Sequence, residues 1–311
     1  SYGLFPLGIN KNIAKSILSE TGHKFCYGNA EYISSANKLF FPKSTTKVSQ
    51  LEEYFACPKA NYFAYGLNLQ KKKSDKVESA DNGTFIHKVL QDFIWQNENK
   101  LQSLTSSEIA NWVVMEIDRL KTDDKFVSIY KKSNSLILSL MTDELVRVCS
   151  YLCDEQKISD FKANRKFLEY RFNTENALTL NSAAGNINLV GIIDRVDFYG
   201  DYFRIIDYKT GQNATTDGLK DIYTGKKIQT VLYFKALEQI TTKKCFGAFY
   251  LPIKAGYLQN DETAYKLSGI YLKDIDLVMS ADKTLNINNP TSSYFNVRLT
   301  KGDYAKTGKP S

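Results

Sequence analysis

The run GIIDRVDFYGDYFRIIDYKTG, residues 191–211, constrains this 311-residue chain more than any other segment. Its apolar residues alternate with a period of two, the side-chain repeat of a β-strand. One face of the first strand carries Val190, Ile192, Asp194, Val196 and Phe198, and one face of the second carries Phe203, Ile205, Asp207 and Lys209. Both faces are apolar and interrupted by charge. A carboxylate buried alone is costly unless it is paired or binds a cation.

Gly200-Asp201 suits a two-residue hairpin loop with Gly at its first central position. That turn pairs Tyr199 with Tyr202 and, stepping back along both strands, sets Asp194 opposite Asp207. Opposed residues have Cβ atoms about 5 Å apart, where like charges repel. Two such carboxylates on an apolar surface call for a divalent cation. Lys209 projects from the same face, where it can polarise a water or stabilise developing negative charge. Oxygen ligands favour a hard ion, Mg²⁺ first with Mn²⁺ as a substitute, and attack of a metal-bound water on a phosphodiester is the matching chemistry. The alternative is an exposed hairpin on which Asp194–Arg195 and Asp207–Lys209 form surface ion pairs.

Upstream, Ser49-Gln50-Leu51-Glu52 reads as a capping box opening a helix through Ala64. Asn82-Gly83-Thr84 precedes a helical stretch, Phe85–Trp95, with Phe85/Val89/Phe93 and Ile86/Leu90/Ile94 at helical spacing. His87 then sits near a helix start, where the dipole keeps imidazole neutral and able to bind metal; a merely structural histidine is the alternative. Ser106-Ser107-Glu108 starts another helix, and Leu136–Cys153 is a long one. From Lys166 the period changes to two, giving strands over Phe167–Phe172, Ile187–Phe198 and Tyr202–Tyr208. Lys226–Ile240 reads as a helix and Cys245–Ile253 as a buried strand. The expected fold is α/β, with a mixed central sheet flanked by helices and a helical insertion over about 100–165.

Residues 1–46, with one helical piece around Lys11–Ser19, read as a lead-in from a larger protein, and the polar end KGDYAKTGKPS reads as a C-terminal truncation. The short basic run Lys71–Lys73 stands alone, without a repeat or low-complexity tract around it. At 43% hydrophobic residues the chain is too apolar for disorder as its main state, and no apolar run approaches the ~20 residues of a bilayer span. Five unevenly spaced cysteines are not a secreted disulfide framework, which places the chain in the cytoplasm. The formal net charge of +7 is only mildly basic.

These motifs, in this order, resemble the RecB-type nucleases of the PD-(D/E)XK superfamily. The segments are GTFIH, GIIDRVD, IIDYKTG and QTVLYF, preceded by KVSQLEEYFACPKANYFAYGL with its Ser-x-Leu-Glu-x-Tyr-x-x-Cys-Pro pattern. The resemblance runs from Lys47 to the chain end, with a catalytic core over about 166–260, and is closest to the C-terminal nuclease domain of AddB-type helicase–exonuclease subunits. It implies a restriction-endonuclease-like core and metal ligands at His87, Asp194, Asp207 and the backbone carbonyl of Tyr208. It also implies a catalytic role for Lys209 and a Gln-x-x-x-Tyr helix motif, Gln229 and Tyr233, that shapes the site and meets DNA. Glu169 falls where the family often has another acid, with an ordinary salt bridge as the alternative.

Cys57 matches the first position of the family's iron–sulfur staple, but no cysteine follows Cys245, so no cluster is expected in this chain. Cys149 and Cys153, one helical turn apart, read as core residues. A G-x-x-x-x-G-K-[ST] phosphate loop is absent, so the chain is not a motor. The expectation is a Mg²⁺-dependent DNA exonuclease domain, fed by a helicase partner of the AddA or RecB type during double-strand break repair. A catalytically silent DNA-binding module of the same fold and a stand-alone nuclease are the alternatives.

Overall fold

A computed structural model describes residues 40, 44–69, 79–127, 135–173, 175–182, 185–210, 222, 224–225, 227–253, 265–300 and 302–303. The sequence features over Lys11–Ser19 and Lys71–Lys73 lie outside the described residues. Seven strands are described: β1 (Thr45–Lys47), β2 (Lys162–Phe172), β3 (Leu178–Ser182), β4 (Gly185–Tyr199), β5 (Tyr202–Lys209), β6 (Lys244–Pro252) and β7 (Ser268–Tyr271). The α-helices are α1 (Val48–Ala56), α2 (Pro58–Asn61), α3 (Ser79–Asn97), α4 (Ser106–Leu120), α5 (Ser135–Ile158), α6 (Gln229–Thr241) and α7 (Ile275–Ala281). Two compact units divide the chain: residues 1–71 with 173–190, and residues 72–172 with 191–311.

In the first unit, β1 runs parallel to the start of β4 and β3 antiparallel to it. The capping box expected at Ser49 does not form. β1 leads directly into α1, which begins one residue earlier at Val48 with Lys47 as an extended N-cap and no side-chain cap bond. Gln50 turns inward, accepting from Thr46 Oγ1 at 3.1 Å and donating to the Phe40 carbonyl at 2.9 Å. The helical run to Ala64 is broken at Cys57, an extended residue whose Sγ receives the Ala60 N–H at 3.5 Å. Pro58, lacking an N–H, fits the first position of the short α2, and a π-helical turn follows over Tyr62–Gly66.

In the second unit the neighbours run β2, β4, β5, β6, β7. The hairpin between β4 and β5 forms as the sequence sets it: Tyr199 faces Tyr202, and Gly200 adopts φ +52°. The ladder is regular to Arg195–Ile206, one step short of Asp194 and Asp207. β6 lies parallel to β5, and α6 lies between them in sequence as the crossover that parallel strands require. β6, KCFGAFYLP, is buried nearly throughout, the continuous apolar pattern of a strand covered on both faces. The sheet continues past residue 260 to β7, which lies antiparallel to β6.

The helices supply the apolar cover. Phe85, Ile86, Val89, Leu90 and Phe93 of α3 join Leu145, Val148, Cys149 and Leu152 of α5, and Ile206 and Phe249 of the sheet, in one core cluster. Each fully buried large side chain contributes roughly 1.5–3 kcal/mol. Cys149 and Cys153 are wholly buried, as their spacing suggested. α3 begins at Ser79, earlier than the Asn82-Gly83-Thr84 start expected, while α4 is capped by Thr105 in a capping box with Glu108.

The reading of the hairpin faces needs one correction. Arg195 and Asp197, on the face of β4 opposite Asp194, are 0% exposed, so no surface Asp194–Arg195 pair exists. Arg195 donates to Asp197 at 2.6 and 2.7 Å and to Glu155 of α5 at 3.1 Å. Arg204, opposite Asp197 on β5, donates to Asp197 at 3.0 and 2.7 Å and also binds Glu155. Two guanidinium groups and two carboxylates thus neutralise one another inside the protein. Burying charge is costly, and the mutual pairing of these groups offsets that cost. The face of β4 opposite Asp194 is thus closed over buried charge, while Ile192 on the Asp194 side is 37% exposed.

Candidate active site

His87 lies well inside α3, with Ser79 two turns before it, so the helix-start argument for its neutrality fails. The strands hold it instead. Its Nδ1 is 3.4 Å from Asp194 Oδ1 and 3.5 Å from Glu169 Oε1, and its Nε2 is 3.1 Å from the Tyr208 carbonyl oxygen. Burial pulls its pKa down, but hydrogen bonds and charge from Asp194 and Glu169 outweigh that and push it up to about 10.

Glu169 reaches this position through an irregularity in β2. Ala163 faces Asp197 while Leu168 faces Arg195, so β2 spends extra residues against a short piece of β4. Glu169 follows in left-handed backbone at φ +48°, between Leu168 and Tyr170, whose partners Arg195 and Ile193 flank Asp194. A non-glycine residue there costs about 1–2 kcal/mol, the strain that functional positions often carry. Phe167 packs on Tyr170 and Phe198 rather than beside the carboxylate.

Asp194 is tied to the neighbouring strand: its Oδ2 accepts the Tyr208 N–H at 2.8 Å. Asp207 is buried, at 4% exposure, and its Oδ1 accepts from Gln229 Nε2 at 3.0 Å. Its other oxygen pairs with the Lys209 ammonium. Burial first, then the Asp194 charge, raise its pKa to about 7. Lys209 stays partly exposed and lies 5.3 Å from the ring centre of Tyr250, the β6 partner of Asp207. Tyr233, one turn beyond Gln229 on α6, packs edge-on against Phe172. Cys57 is exposed in the other unit.

His87, Glu169 and Asp194 therefore converge, with ligand atoms all within 4.8 Å of one another. One imidazole nitrogen and two carboxylate oxygens suit a divalent cation. Among the described residues, Asp207 is not a member of that group; it stands beside it, held by Gln229 and Lys209. Sequence reasoning passed over Tyr250 and Glu155. Tyr250 is brought to Lys209 by the parallel register of β6, which no local pattern encodes.

The family model of the PD-(D/E)XK nuclease superfamily matches residues 46–290. The chain belongs to this superfamily. Its mixed sheet with flanking helices is the fold of that superfamily, as the motif resemblance implied. Relatives that match most of the chain are named as one subunit of an ATP-dependent helicase/deoxyribonuclease. The Clostridium tetani protein is 29% identical over 85% of this chain and 25% of its own length. The Clostridium perfringens protein is 30% identical over 88% and 25%, and that of Caldanaerobacter subterraneus 31% over 80% and 24%. The chain spans about a quarter of the length of these relatives.

Proposed function

We propose that the chain is a Mg²⁺-dependent deoxyribonuclease domain that trims DNA strands exonucleolytically. The observation that carries this reading is the convergence of His87, Glu169 and Asp194 beside the Asp207–Lys209 pair. A bound Mg²⁺, or Mn²⁺ in its place, supplies Lewis acidity and a water acidic enough to attack phosphorus. The protein's own groups do the rest. His87, Glu169, Asp194, Asp207 and the Tyr208 carbonyl provide the ligand set, and Gln229 holds the Asp207 carboxylate in one orientation. The Lys209 ammonium would offset charge building on the phosphate, with the Tyr250 ring 5.3 Å from it helping to hold it in place. Tyr233 shapes the wall of the site.

The relatives' name describes part of a helicase/deoxyribonuclease, which supports a place for this chain in a helicase–nuclease complex acting on DNA breaks in the cytoplasm. An AddA- or RecB-type protein is the partner that would feed the strand. No described helix is long and apolar enough to cross a membrane.

Digestion of end-labelled linear DNA, single- and double-stranded, in Mg²⁺, Mn²⁺ or EDTA tests this reading. Metal-dependent cutting that falls by about 10²–10³-fold in Lys209→Ala is expected. Equal cutting by parent and variant, or no cutting together with no metal binding, contradicts it and favours the silent DNA-binding module.

A further inference from the structure

The two elements that bring His87 and Glu169 together also bring a second pair of side chains together. Trp95 lies eight residues beyond His87 on α3, about 12 Å along the helix at ~1.5 Å per residue. Arg165 lies four residues before Glu169 on β2, inside the irregular stretch between Ala163 and Leu168. The side chains meet: the Arg165 guanidinium carbon is 5.8 Å from the Trp95 ring centre. Trp95, in the last turn of α3, is 50% exposed, a large value for tryptophan. Arg165 is anchored without being buried. Its N–H donates to Glu98 Oε1 at 2.9 Å, and its Nε is 3.6 Å from Glu98 Oε2. Lys166, the next residue, is exposed and makes no ion pair among the described residues. The irregular stretch of β2 that turns Glu169 toward His87 therefore also brings Arg165 to the half-exposed indole, with exposed Lys166 next to it in sequence.

We infer that Trp95, Arg165 and Lys166 form a binding site for single-stranded DNA, which stacks an unpaired base on Trp95 and sets its phosphates against the two cations. The inference rests on the nuclease reading for the identity of the strand. An indole and a guanidinium plane present flat faces, which a base can meet only when it is unpaired or at an end. At ~3.4 Å per stacked base, 12 Å corresponds to roughly three or four nucleotides between this platform and the ligand cluster. The site would hold the strand at a fixed distance from the scissile phosphate, independently of sequence. A purely structural role, in which Arg165 and Glu98 clamp the β2 irregularity and Trp95 supports the guanidinium, does not depend on DNA.

The sequence contains two tryptophans, so Trp112→Phe leaves Trp95 as the only indole reporter. The experiment titrates that full chain with fluorescein-labelled dT12 in EDTA, following label anisotropy and tryptophan emission together. Emission is expected to quench with the same midpoint as the anisotropy rise. Trp95→Ala should weaken dT12 binding on the order of 10-fold, with Trp95→Phe recovering most of it. Arg165→Ala with Lys166→Ala should flatten the plot of log Kd against log salt by about 1.4. Unchanged emission while dT12 binds, equal affinity in Trp95→Ala, or equal quenching by a closed duplex hairpin overturns the inference and leaves the nuclease reading standing. Absence of any dT12 binding overturns it too, with the cutting assay then judging the nuclease separately. Quenching without metal-dependent cutting would count against the nuclease reading alone.

Discussion

Gln229 donates from Nε2 to Asp207 Oδ1 at 3.0 Å, so the first residue of α6 fixes the acid that ends the apolar part of β5. Asp207 is buried and its pKa is raised to about 7, so the partners that hold it ionised matter. A hydrogen bond to a charged group contributes about 1.5–3 kcal/mol. Gln229→Ala is therefore expected to slow metal-dependent cutting by roughly 10- to 100-fold with the fold intact. Gln229→Glu, which sets a like charge against Asp207, should slow it further. Initial rates on labelled DNA, with far-UV circular dichroism as the fold control, decide between these outcomes and no effect.

The buried charges behind the site are a matter of stability. Glu155 is shared by Arg195 and Arg204, and removing it leaves two guanidinium groups inside the protein with Asp197 as their one remaining carboxylate in the cluster. Breaking a buried pair from one side costs about 3–5 kcal/mol. Urea denaturation of Glu155→Ala should show a loss of that size. A loss below about 1 kcal/mol, the scale of exposed pairs, would mean that water reaches the cluster.

Gly191 stands where the strand passes under two rings. A Cβ there would lie 2.8 Å from Phe172 Cζ and 2.9 Å from Tyr233 Cε1, both too close. Gly191→Ala must push one ring aside, at a cost of about 1–3 kcal/mol. Since Tyr233 shares α6 with Gln229, the variant is expected to lower both the melting temperature and the cutting rate. Thermal melts beside activity at a temperature where the variant is fully folded separate the two effects.

The hairpin was the legible part of the molecule. A two-residue turn with glycine first leaves one register, and Tyr199 faces Tyr202 as that register requires. The ordered motifs around it brought His87 and Gln229 into the argument, and both touch the acids of the hairpin. What alternation could not supply was the state of the opposite face. Arg195 and Asp197 look like surface residues until Glu155, forty residues earlier on another element, closes their charges. The start of α1 was missed because β1 precedes it with no loop between them, leaving Ser49 inside the helix rather than at its cap. Glu169 was left between two readings because its backbone at φ +48° breaks the very period used to assign faces.

We propose that His87, Glu169 and Asp194 jointly hold a divalent cation. Calorimetric titration of Mn²⁺ into the parent, Asp194→Asn and Glu169→Gln tests it without reference to any substrate. A saturable site is expected in the parent, with a loss of at least about tenfold in affinity in Asp194→Asn and a weaker site in Glu169→Gln. Equal Mn²⁺ binding by parent and Asp194→Asn, or no saturable binding by the parent, would contradict it.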